Sequence, residues 1–302
     1  MDILIVGSIA LDTIKTPFGS VTEAVGGSAV YASLSANFFG RVNLVGVVGR
    51  DFPPEVLSLL NERGINIEGV QVTDGKTFRW SGYYEYDLNT AHTLDTQLNV
   101  FGNFNPVIPE TYKNSRLVFL ANIDPELQLR ILEQVKNPRL TICDTMNYWI
   151  ETKREKLQEV LEKVNVVIMN DAEIREFSRE PNLIKGARSI LSLGPQIVIV
   201  KKGEHGAILF SREEIFIAPA FPLESVLDPT GAGDTFAGGV VGSLAMMGEI
   251  NEKNFRKAVI YGTVMASFNV EDFSINRLKC LTLKEINCRY NELKAITSFE
   301  NA

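Results

Sequence analysis

At 302 residues, with 45 % hydrophobic and 22 % charged side chains, the chain has apolar material for a substantial core in one large domain or two ordinary ones. Its net charge of −7 argues against a nucleic-acid partner, because phosphate backbones recruit basic faces. Three cysteines (Cys143, Cys280 and Cys288) are too few and too scattered for a disulfide framework, and two histidines argue against a histidine-built zinc site.

The chain opens directly on a strand at 3–6 without a basic leader, and no apolar run approaches the roughly 18 residues of a membrane span, so a soluble, cytoplasmic protein without a membrane partner is expected. A helical period at 28–39 follows, then a strand at 42–48 and a helix at 54–63. Strands at 117–120 and 140–143 flank a helix at 126–135. A charged helix at 151–163, a strand at 164–169, helices at 172–180 and 182–193 and a strand at 197–200 continue the alternation. The strands are nearly continuous apolar runs, as in a parallel sheet covered on both faces, and predict a doubly wound, mostly parallel α/β fold over 1–302.

Two stretches break this rhythm. Residues 12–25 and 73–101 show alternation, turn residues and aromatics but no helical period, which predicts a small β-sheet lid. Such a lid would cover the carboxyl edge of the main sheet, where open α/β folds bind ligands. Trp80, Tyr83, Tyr84 and Tyr86 lie in it. They would pack within the lid or against a second subunit, or stack on a nucleobase or sugar.

The segment Asp228-Pro-Thr-Gly-Ala-Gly-Asp234-Thr-Phe-Ala-Gly-Gly239 carries the most chemistry. Pro229 stiffens the approach, and Gly231, Ala232 and Gly233 let the backbone turn sharply and come close to a ligand. A helix is expected over 235–247, and free amides at its start, with the positive end of its dipole, make an anion hole for a phosphoryl group in flight. A carboxylate beside such a site needs a reason, and accepting the proton of a substrate hydroxyl supplies one for Asp234. The helix dipole is expected to keep that carboxylate ionised at neutral pH. Asn170-Asp-Ala-Glu173 reads as a helix-capping box, although the same two side chains, three apart on one face, could both address one ion.

Asp228–Val241 resembles the C-terminal signature of the ribokinase-like (PfkB, or phosphofructokinase B) carbohydrate and nucleoside kinases. Gly26-Gly-Ser-Ala-Val-Tyr-Ala-Ser-Leu-Ser-Ala-Asn-Phe-Phe-Gly40, followed by Val45-Gly-Val-Val-Gly-Arg-Asp51, is similar to that family's N-terminal glycine motif. Val198-Ile-Val-Lys-Lys-Gly-Glu-His-Gly-Ala207 is similar to its nucleotide-side strand and turn.

The resemblance implies a ribokinase-like fold, ATP and Mg²⁺, Asp234 as general base, and Gly231, Ala232 and Gly233 as anion hole. It also implies Asn170, Glu173, Lys202 and Gly203 on the nucleotide side, with Glu173 reaching Mg²⁺ through water. Asp12, Gly26 and Gly27 become candidates for acceptor binding, and Asp228 with Thr230 for a monovalent cation such as K⁺. A homodimer through the lids is a further assembly the resemblance allows. Ala10 and Tyr31 depart from the ribokinase branch, which has polar residues at both positions, and argue against free ribose.

The expected activity is therefore ATP-dependent phosphorylation of a hydroxyl on a small molecule, a sugar first and a nucleoside as the alternative. A non-catalytic ligand sensor on the same fold and an NAD-dependent oxidoreductase are the rivals. Against the latter, Gly231-Ala-Gly233-Asp-Thr-Phe236 has phenylalanine where the dinucleotide fingerprint needs its third glycine. A P-loop at Gly75-Lys76-Thr77 fails too, because Gly69 lies one residue too far away and a strand follows.

Overall fold

The first part of the chain runs β1 (Ile3–Val6), β2 (Ala10–Thr16), β3 (Gly19–Gly26), α1 (Ser28–Ala36), β4 (Val42–Gly49), α2 (Pro54–Glu62), β5 (Asn66–Thr73), β6 (Phe78–Tyr84) and β7 (Ala91–Gln97). The middle comprises β8 (Leu117–Leu120), α3 (Pro125–Gln134), β9 (Leu140–Asp144), α4 (Asn147–Thr152), α5 (Arg154–Leu161), β10 (Val166–Asn170), α6 (Asp171–Ser178) and α7 (Leu183–Leu191). The last part holds β11 (Ile197–Lys201), β12 (Ala207–Phe210), β13 (Ile215–Ala218), α8 (Ala232–Met247), α9 (Glu252–Asn269), α10 (Asn276–Cys280) and α11 (Leu283–Thr297). This computed structural model describes residues 1–298; 299–302, counted in the expected 1–302 domain, lie outside the described residues.

Nine strands form one sheet in the order β13-β12-β11-β10-β9-β8-β1-β4-β5. From β11 to β5 every pairing is parallel, and β12 and β13 add an antiparallel edge. The continuous apolar strands explain the two layers. In β1, Ile3 and Ile5 face one core while Leu4 and Val6 face the other. Helices α1, α2 and α8 to α11 bury their apolar sides in the first core, and α3 to α7 in the second. Burial on both faces requires this covering of a parallel sheet.

The helix expected at 151–163 is two helices, broken at Lys153, whose ammonium is drawn to Asp124 (2.6 Å) and Glu126 (3.1 Å). The helix expected from 235 starts at Ala232, which puts Asp234 inside its first turn. A second sheet, β3-β2-β6-β7, is built from the two stretches that break the α/β rhythm, with β2–β6 parallel and its other pairings antiparallel. Its strands begin at Ala10, two residues ahead of the stretch expected from 12.

All parallel strands of the large sheet point the same way, so their carboxyl ends share one edge. There β9 ends in Asp144, β10 in Asn170 and β11 in Lys201. No helix among the described residues is long and apolar enough to cross a membrane.

Candidate active site

The turn into α8 is held from several sides. Asp228 Oδ1 accepts the Thr230 amide at 2.9 Å, and buried Asn269 on α9 donates to the Thr230 carbonyl at 2.8 Å while accepting the Thr235 hydroxyl at 3.1 Å. Gly231 caps the helix at φ 76, a left-handed conformation that favours glycine, and a Cβ there would lie 2.5 Å from the Tyr31 ring. The Ala232 amide donates to the Pro229 carbonyl at 3.1 Å. The Gly231 and Gly233 amides have no acceptor among the described residues, so of the three amides at this turn those two are free.

Asp234 stands in this first turn, half-buried. Burial, with the Asp144 carboxylate nearby, raises it to about 7, although Lys201 pulls the other way. The helix dipole does not hold it fully ionised at neutral pH, contrary to the expectation from sequence. Lys201 donates to both oxygens of Asp144, at 3.0 and 2.8 Å. Glu173 completes the group: buried, it forms the expected capping box with Asn170, accepting its amide at 2.7 Å while Asn170 accepts the Glu173 amide at 2.8 Å. Burial raises the Glu173 carboxyl, with Lys201 opposing and Asp144 reinforcing.

Asp144 contacts the Lys201 ammonium, and Glu173 and Asp234 act on it electrostatically. A divalent cation bound beside these carboxyls would favour their ionised forms. Among the described residues no group of three or more His, Cys, Asp or Glu is arranged to hold a metal, so Mg²⁺ would draw most of its ligands from water and phosphate, as it usually does. On the other side, Asp228 Oδ2 is buried and unpartnered among the described residues, an oxygen free for a monovalent cation beside Thr230.

Asp12 enters from β2 of the small sheet, 5 % exposed. Burial raises it to about 8, Asp228 and Asp234 add to the shift, and the Gly27 amide opposes it. A Cβ on Gly26 would sit 1.9 Å from Asp12 Oδ2, so that glycine leaves room for the carboxylate, whereas a Cβ on Gly27 would meet the Ser8 carbonyl at 2.5 Å. Tyr31, the departure noted in the glycine motif, is 1 % exposed with its hydroxyl unpartnered. From β6, the Tyr84 hydroxyl meets the Thr230 hydroxyl at 3.2 Å.

The β2–β6 register pairs Asp12 with Trp80 and Ile14 with Gly82. Parallel partners share a face, so Asp12, Trp80 and Tyr84 lie on one face of the small sheet, from which Asp12 and Tyr84 feel Asp228 and Asp234 while the indole donates to Thr93 at 3.1 Å. The indole of Trp80 lies along that face over Gly82, where a Cβ would meet it at 2.4 Å. Tyr83 instead stacks on His92 at 4.8 Å, on the opposite face, and Tyr86 is exposed. The four lid aromatics therefore divide between the site and the outside.

A cavity of about 470 Å³ opens on the other side of the α8 turn. Ala232 and Gly233 close one end, Phe221, Phe236 and Val270 supply apolar wall, and Gly203 lies beside Asn89 of the turn between β6 and β7. Lys202 is half-buried, its amide donating to the Gly206 carbonyl at 2.8 Å, and its side chain does not line the cavity. The cavity thus reaches the turn at Gly233, and the buried carboxyl of Asp12 lies close enough to Asp234 to be raised by it. Such an arrangement can carry an anion from one side to a hydroxyl on the other.

Residues 3–278 match the family described as pfkB family carbohydrate kinases. The chain belongs to the PfkB family. A PfkB-family relative, the cytidine kinase of Thermococcus kodakarensis, is 31 % identical over 247 residues, covering 79 % of this chain and 87 % of its own. The nucleoside kinase of Burkholderia thailandensis, solved with ADP and inosine, superposes with a TM-score of 0.80 at 19 % identity, covering 97 % of this chain and 96 % of its own. A ribokinase-family structure from E. coli in complex with ATP and Mg²⁺ gives 0.79 at 18 %, covering 96 % and 99 %. The fold is ribokinase-like.

Asp144, Lys201 and Asn269 were not singled out from the sequence. For the first two a signal exists. Each is a charged residue ending an otherwise apolar strand, at the edge where parallel sheets bind ligands. Asn269 carried none, because it lies within a long helix.

Proposed function

We propose that this PfkB-family kinase transfers the γ-phosphoryl group of ATP to a hydroxyl of a nucleoside. The observation that carries the acceptor class is Trp80, the register partner of Asp12 on one face of the small sheet. Asp12 would hold acceptor hydroxyls while the indole stacks on a planar base. The names of the similar cytidine and nucleoside kinases support the same choice. A free sugar, expected first from the sequence, would also use Asp12, but it offers the indole only a small C–H face where a nucleobase offers a whole planar ring.

In this reading the Gly231 and Gly233 amides receive the charge of the moving phosphoryl group, which is where preorganised donors contribute most. Asp234 orients the acceptor hydroxyl and takes its proton as the new O–P bond forms and the bond to ADP breaks. Mg²⁺, reached from Glu173 through water, would neutralise phosphate charge. The oxygen of Asp228 beside Thr230 would hold a monovalent cation. The small sheet acts as a lid, with Tyr84 tying it to the anion-hole turn.

A coupled assay of ADP release over cytidine, other nucleosides, pentoses and hexoses tests the acceptor class. Turnover of nucleosides is expected, with Trp80→Ala raising nucleoside KM roughly 10-fold, the scale of base–aromatic stacking. Turnover confined to sugars, unaffected by Trp80→Ala, would overturn it.

A further inference from the structure

Resting on the kinase reading, we infer that Lys201 grips the γ-phosphoryl group of the bound nucleotide, with Asp144 as the tether that aims its ammonium.

Four observations converge on it. Lys201 is the single cationic side chain among the residues that line the cavity, whose charged neighbours there are the acids Asp87 and Glu204. A polyphosphate entering this space meets no other fixed positive charge among the described residues of the wall. The ammonium also lies where the phosphates must end, since a Cβ built on Gly233 would come within 3.1 Å of Lys201 Nζ. Whatever the Gly233 amide binds is therefore within its reach.

The side chain is held, not free. Its carbon stem is mostly buried, and both oxygens of Asp144, itself 3 % exposed, accept from Nζ. The two residues end β11 and β9, which flank β10, so the pair spans the strand that delivers Asn170 and Glu173. Finally, Asp234 and Glu173 add negative charge around the same ammonium. An anion approaching that acidic group needs a cation already in place, and a lysine is a compact point charge suited to phosphate. Lys201 makes and breaks no covalent bond in this role. It would lower the cost of bringing the triphosphate against Asp234 and stay with the phosphoryl group as it crosses to the acceptor.

The competing explanation is structural: the pair only staples β9 to β11. The two are separable because ADP lacks the group that Lys201 is inferred to hold. Calorimetric titration with Mg²⁺ and either ADP or the β,γ-imido analogue of ATP would be run on the full chain and on Lys201→Met. Losing one charged hydrogen bond should weaken the analogue about 10- to 100-fold, with ADP affinity little changed. Lys201→Arg should restore part of the difference. Should Lys201→Met fail to fold with Asp144 left unpaired, the double variant Lys201→Met/Asp144→Asn removes both charges and gives the same readout. Equal losses for ADP and the analogue, or none, would overturn the role of Lys201. A native chain that binds neither nucleotide would instead overturn the kinase reading itself.

Discussion

At Asp234 two effects oppose each other: the start of α8 favours the carboxylate, while burial and Asp144 disfavour it, and the balance lies near 7. A base poised near the working pH combines a useful ionised fraction with enough proton affinity. Because the pKa is raised and the ionised form is the active one, log kcat/KM should climb with a slope near one at lower pH and level off above about 7. Asp234→Asn should lower kcat by about 10²–10⁴-fold without a loss of folding by circular dichroism. A full rate in that variant, or a pH profile flat from 5 to 8, would remove Asp234 from the chemistry. The residue was legible in the sequence because its whole twelve-residue setting was. Its raised pKa was not, since Asp144 lies 90 positions earlier and reaches it only through the fold.

At the scale of elements, α11 supports the cavity beside α8 from behind. Arg289 lies over Phe268 at 3.5 Å and over the cavity-lining Phe221 at 4.9 Å, and it donates to Ser267 and Glu271. The guanidinium thus sets the position of an apolar wall that it does not itself form. Arg289→Ala should raise KM for ATP roughly 3- to 30-fold, the scale of desolvated cation–π contacts, with acceptor KM unchanged. A matching rise in both constants would mean general loosening. The small sheet gives a parallel case: Tyr84→Phe removes its bond to Thr230 and should lower kcat about 3- to 10-fold. An unchanged kcat would show that the lid acts without that tie. The strands of this sheet were readable from alternation, yet which aromatics face the site was not. That is decided by the pairing of Asp12 with Trp80, segments almost 70 residues apart.

The whole molecule concentrates acids at the carboxyl edge of its large sheet. Asp12, raised to about 8, and Asp234, raised to about 7, both bind protons more tightly folded than unfolded. The stability each contributes is fully present below its unfolded pKa of about 4 and is lost as pH rises through the folded value. The ligand-free protein should therefore melt at progressively lower temperature from pH 5 to about 8, and Asp12→Asn should flatten that slope. A Tm that rises over this range would contradict the assigned shifts. The parallel architecture was legible because strands buried on both faces leave continuous apolar runs. The partnership of Asp144 with Lys201 was not, because a single charge at a strand end gives no sign of its partner 57 residues away.

Phosphoryl transfer itself is the most direct test. The chain would be incubated with Mg²⁺, ATP labelled at the γ-phosphate and a nucleoside panel, and the products separated. Label should appear as a nucleoside monophosphate with the native chain and fall to near background with Asp234→Asn. ATP binding without transfer to any nucleoside or sugar, or equal transfer by that variant, would contradict the account.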